Sequence, residues 1–150
     1  LFIAASATTA TTAPVDAAEK SLAIVAAKSF PVDSLSFGDL KRLYGGTPVV
    51  AGGKTLIPIT YQKHASERVA FDQSVLGMSS DEVGRYWVDR KIRGQSGPPK
   101  SVDSADVVIK LVTKVEGAVG FVRPSAIAPT VKILRIDGKL PTDPGYRVNL

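Results

Sequence analysis

Apolar residues recur along this chain in two rhythms. Short continuous runs at Leu22 to Ala27, Leu56 to Tyr61, Ala118 to Val122 and Val131 to Ile136 read as strands, the first of them buried. Pro58 inside the second run argues for an edge strand or an irregular start, because proline has no N–H for a ladder. Helical spacing fills the intervals. Phe37, Leu40, Leu43 and Tyr44 form an apolar stripe behind a capping Ser36, with Asp39 at the third helical position and Gly45-Gly46 as the stop. A second helix is predicted from about Glu67 to Leu76, capped by Ser66 and stopped by Gly77. In a third, Ser79 and Glu82 have capping-box spacing, Met78 and Val83 can staple the entry, Val83, Tyr86 and Trp87 face the core, and Gly94 ends it. A fourth begins at Ser104, carries Val107, Val108, Leu111, Val112 and Val115, and closes at Gly117.

The intervening segments are turns. Gly52, Gly53 and Lys54 form one, Gln95 to Lys100 with Gly97, Pro98 and Pro99 is a stiff loop, and Asp137-Gly138 is a turn signal. Tyr146 and Val148 are the anchors available to the tail from Pro141 to Leu150. Strands interleaved with helices predict an α/β fold with a small central sheet in two or three layers. A chain of 150 residues fits one domain with a sizeable core, taken as 21–150, behind a flexible or processed segment at 1–20.

The net charge of +5 weakly favours anionic partners. Lys41 and Arg42, Arg90, Lys91 and Arg93, and Lys110 with Lys114 lie on helices or their ends, without interleaved aromatics, so no nucleic-acid partner is expected. The sequence has no cysteine, which removes disulfides, thiol catalysis and thiolate metal sites. His64 is its single histidine and no carboxylates cluster around it, so no metal is expected. A catalytic triad would need His64 as base, with Ser66 only two positions away. The expectation is a protein without enzymatic activity, catalytic residues or cofactor.

The start of the chain differs from its body. Leu1-Phe2-Ile3-Ala4 followed by Ala5-Ser6-Ala7 resembles the end of a signal peptide with its small-residue cleavage site, the other reading being a flexible arm. No later stretch has the roughly 18 apolar residues of a membrane span, so the body is not expected to cross one.

Several segments together resemble the phosphate-type substrate-binding proteins of ABC transporters. They are Leu22 to Ala27, Pro31 to Ser36 leading into Leu40-Lys41-Arg42-Leu43-Tyr44-Gly45-Gly46, Ser66 to Phe71, Val75 to Met78, Tyr86-Trp87, Arg93-Gly94, and Gly117 to Val122. Their order and spacing carry the match from about residue 20 to residue 138. The resemblance implies an extracytoplasmic or periplasmic solute-binding fold, of which this chain corresponds mainly to a single lobe with a small mixed sheet flanked by helices. It also implies phosphate or another small oxyanion as ligand and an ABC transporter as partner. A homo-oligomer or partner chain covering the open face would supply the wall a single lobe lacks.

The segment Tyr61 to Arg68 holds the candidate site, because a helix N-terminus offers free amides and a field that favours anions. In the family this turn typically reads Gly-Ser-Gly-Thr, often with Arg following, at positions matching His64, Ala65, Ser66, Glu67 and Arg68. An arginine sometimes found four residues before that Ser matches Tyr61. Ala65 lacks a hydroxyl and Glu67 puts a carboxylate where phosphate would sit, which repels it. Glu67 therefore reads as helix-stabilising, Ser66 as a cap or a ligand donor, and Arg68 as a fork donor or the partner of Glu67 or Asp72. Lys63 and His64 add positive charge to the turn, and Arg123 after the glycine-bounded strand is a candidate for the rim. Trp87 and Tyr86 read as core packing or as a stacking platform.

Two functions follow. One is a phosphate- or oxyanion-binding-like protein related to ABC transport with weakened anion binding. The alternative is a protein-interaction or structural module that keeps the fold without solute binding.

Overall fold

Short apolar runs have no helical face to bury and pair with one another, and they build the centre of the molecule. The computed structural model describes residues 20–150, so the expectations for a processed start lie outside the described residues. In chain order the strands are β1 (Ala23–Ala27), β2 (Ser34–Leu35), β3 (Val50–Ala51), β4 (Lys54–Thr55), β5 (Ile57–Tyr61), β6 (Lys100–Val102), β7 (Ala118–Val122), β8 (Val131–Ile133) and β9 (Arg135–Ile136). The helices are α1 (Phe37–Tyr44), α2 (Ser66–Phe71), α3 (Ser80–Ile92) and α4 (Ala105–Lys114).

A five-stranded mixed sheet runs in the order β6-β5-β7-β1-β8. β5 is parallel to β6 and β7, whereas β1 is antiparallel to β7, with Val25 opposite Gly120, and to β8, with Ala26 opposite Lys132. Small hairpin and bridge pairs, β3 with β4 and β2 with β9, lie outside this sheet. The two faces of the sheet are told apart by neighbouring residues of β7, since successive side chains point to opposite sides. A Cβ on Gly120 would come within 2.5 Å of Val108 and 3.4 Å of Val112, so α4 lies hard against that face. Phe121 points the other way, stacked on Phe71 with centroids 4.0 Å apart and edge-on to Tyr44 of α1 at 5.8 Å.

Pro58 does not mark an edge. β5 lies between two neighbours, and the reading of an irregular start is the one that holds. The Ile57 N–H donates to Gly117 O at 2.9 Å on the β7 side, so position 58 faces away, where β6 pairs only from Ile59 onward. The β5–β7 register ends with Pro58 opposite Val119. The buried Tyr44 hydroxyl reaches the carbonyls of Ile59 at 2.8 Å and Val119 at 3.1 Å and bridges the two strands at this point.

Local signals placed most helices. Ser36 accepts from the Asp39 amide, Ser104 from the Val107 amide, and the Ser79–Glu82 capping box is reciprocal. Gly77 ends its helix with φ +69. The cap of α2 differs from expectation: Ala65 occupies that position with no side-chain bond, one residue before Ser66. α2 is also short, widening into a π-turn over Asp72–Leu76 before Gly77. Lys100 belongs to a strand rather than to the loop before it, and the run from Val131 to Ile136 divides between β8 on the main sheet and β9 beside β2.

The tail packs beside the entry to β1. Tyr146 donates its hydroxyl to Leu22 O at 2.6 Å, the Leu22 amide donates to Val148 O at 2.9 Å, and Val148 is fully buried. Among the described residues no helix is long and apolar enough to cross a membrane.

Candidate functional site

β5 and β7 end at the same edge of the sheet, and outside such carboxyl ends open α/β sheets bind their ligands. β5 delivers Tyr61 and the turn into α2, and β7 delivers Arg123 as the next residue of the chain. There the Arg123 guanidinium donates from Nε to Glu67 Oε1 at 2.8 Å and from Nη2 to Ser66 Oγ at 3.1 Å. The Ser66 hydroxyl in turn donates to Glu67 Oε2 at 3.4 Å. Ser66, Glu67 and Arg123 are thus one closed cluster in which the arginine's charge already has a carboxylate.

The electrostatics agree with this geometry. Partial burial alone would raise the Glu67 carboxyl, but the hydrogen bonds from Arg123, from its own amide and from Ser66, together with the Arg123 charge, hold it below the usual range. Tyr61 lies within reach of the same charges. Its hydroxyl is held well above the usual phenol range by burial, with Glu67 adding to the effect and Arg123 opposing it. It is a neutral donor, and among the described residues it has no hydrogen-bond partner.

Arg68 turns away from the cluster. Its Nη1 donates to Tyr61 O at 3.1 Å and its Nε approaches Asp72 Oδ2 at 3.4 Å, both side chains being largely buried. Of the partners open to it from sequence, Asp72 is the one it takes. Burial raises the Asp72 carboxyl above its usual value despite Arg68. Ala65 packs against the core, while His64 and Lys63 stand exposed in the turn.

Arg68 also lines a cavity of about 220 Å³ together with Lys63, Asp72, Ser80 and Trp87, which sequence reasoning missed. The i,i+4 spacing of Arg68 and Asp72 was its one local signal. Trp87 and Tyr86 pack edge-on at 5.1 Å, and the Tyr86 hydroxyl donates to Gly45 O at 2.6 Å, which ties α3 to the end of α1. Among the described residues no group of three or more His, Asp or Glu side chains is placed to hold a metal.

No protein-family model matches the sequence, and no curated protein matches it. Solved structures do share the fold. An ABC-type phosphate transport receptor from Vibrio cholerae superposes with a TM-score of 0.65 at 20% identity, over 82% of this chain and 48% of that one. A chain from Clostridium perfringens, described as a phosphate ABC transporter substrate-binding protein with bound phosphate, gives 0.63 at 21% identity, over 79% and 46%. PstS from Borrelia burgdorferi gives 0.62 at 13% identity, over 82% and 49%. The chain spans about half the length of these proteins, and at such identities the likeness is one of fold.

Proposed function

We propose that this chain is a non-enzymatic solute-binding lobe of the phosphate-type ABC-transport kind, acting outside the cytoplasm, whose oxyanion site is closed by its own Glu67. The shared fold supports the class of protein, with residues 21–150 as one domain and an ABC transporter as its partner. The observation that carries the reading is the pairing of Arg123 with Glu67 at 2.8 Å and with Ser66 at 3.1 Å. Arg123 is the cation best placed to meet an anion at this end of the sheet, and it is satisfied from within the chain.

Magnitudes favour the closed state. Two like charges about 4 Å apart near a protein surface repel by about 4 kcal/mol, whereas a hydroxyl hydrogen bond to a ligand contributes about 1 kcal/mol. The buried Tyr61 hydroxyl and Ser66 therefore do not offset Glu67 against phosphate. Inorganic phosphate at millimolar concentration is expected to move the amide resonances of Ser66 to Arg68 little in the wild type. The Ala65→Ser, Glu67→Thr double variant, which frees Arg123 and restores two hydroxyls, is expected to respond strongly. Tight phosphate binding by the wild type through those amides would overturn the reading.

A further inference from the structure

α3 carries on its outer side a pattern that anion binding does not use. Val83 and Trp87 are buried, and Tyr86 and Arg90 reach the end of α1, which turns positions 81, 85, 88 and 92 to the opposite side of the helix. Val88 is 60% exposed and Ile92 80% exposed. A scattered exposed apolar residue is ordinary, but these two continue one i+4 ridge that begins at Gly84. The adjacent ridge, Asp81, Arg85, Asp89 and Arg93, alternates in sign at every four-residue step. Both ridges contribute to a shallow groove of about 590 Å³, rimmed by Lys63.

Such a pattern is complementary to itself when reversed. If two copies of α3 lie antiparallel about a two-fold axis near Trp87 and Val88, Arg85 faces Asp89 of the second copy and Asp81 faces its Arg93. On the neighbouring ridge Ile92 faces Gly84 of the second copy and Val88 faces its counterpart. The charged ridge reverses about position 87 and the apolar ridge about position 88, so one two-fold axis passes close to both centres, as an isologous interface requires. Gly84 gives Ile92 room, since a Cβ built there meets nothing within 4 Å. A parallel pairing would set Arg85 on Arg85 and Asp89 on Asp89. Within one chain Arg93 approaches Asp89 at 3.1 Å, both exposed, and Asp81 and Arg85 have no ion-pair partner among the described residues.

We propose that α3 is a self-docking surface on which a second copy of this chain packs antiparallel, with Gly84, Val88 and Ile92 as the seam and the Arg85–Asp89 pairs fixing the register. The test is sedimentation of the whole chain between about 10 μM and about 1 mM, a range suited to a small interface. The wild type should associate to a dimer that dissociates on dilution. Arg85→Asp and Asp89→Arg each set like charges together twice and should weaken the dimer about tenfold or more, while unfolding transitions show both variants folded. Mixed in equal amounts, the two variants should form a heterodimer, because the two aspartates that one variant carries at positions 85 and 89 then face the two arginines of the other. A wild type that stays monomeric throughout would overturn the proposal. So would a dimer insensitive to either charge reversal, or a mixture of folded variants that does not recover association.

Discussion

Arg123 and Glu67 stand 56 positions apart in the chain and 2.8 Å apart in the fold, and their bond makes the protonation of one carboxyl a matter of stability. The folded-state value of Glu67 lies below the usual 4.5, so the stability it contributes is present above that usual value and is lost as pH falls through the lowered one. The side chains are 41% and 22% exposed, which limits the effect to about 1 kcal/mol or less. Asp72 acts in the opposite sense. Its raised value means that its contribution declines as pH rises through the acid range. Glu67→Gln is therefore expected to remove one component only: the wild type should lose its advantage over the variant as pH falls below the usual 4.5 in urea unfolding. An identical pH profile for the two proteins would deny the ion pair any part in stability.

Among the elements, α4 and β7 meet without room to spare at Gly120. Val108 is fully buried and β-branched, hence stiff, and it stands where a side chain at position 120 would begin. Gly120→Ala is expected to destabilise the protein by about 1–3 kcal/mol through overpacking, measured as a lowered urea midpoint with an unchanged slope. Helix signals are local and were legible: Ser36 with Asp39, Ser79 with Glu82, and Ser104 each cap within their own turn. β6 was not, because it has a single buried residue, Val102, and becomes a strand by pairing with β5. Ser66 looked like a cap because its type suits that role, yet its hydroxyl is engaged by Arg123, which no local pattern announces.

At the scale of the whole molecule, the sheet is held from both ends of the described chain. The tail lies against the start of β1, with Tyr146 mostly buried and its hydroxyl on Leu22 O. Tyr146→Ala should cost about 3–5 kcal/mol, as other large-to-small aromatic truncations do, and thermal unfolding should shift downward accordingly. The candidate site also belongs to this scale. The turn from Tyr61 to Arg68 was legible as a place, since a strand, a turn and a helix start follow in order. Its state was not, because Arg123 arrives from another strand to take Glu67 while Arg68 turns inward to Asp72.

The sequence by itself determined the α/β class, the principal helices with most of their caps, the core strands and the position of the turn at Tyr61 to Arg68. These rest on periodicity and on bonds between residues a few positions apart, which the chain carries wherever it folds. Tertiary structure alone decided that β5 is interior, that β6 is a strand, which carboxylate each arginine takes, and which side of α3 faces outward. Those depend on which distant segments meet. That choice is made by the packing of the whole core and is written at no single position.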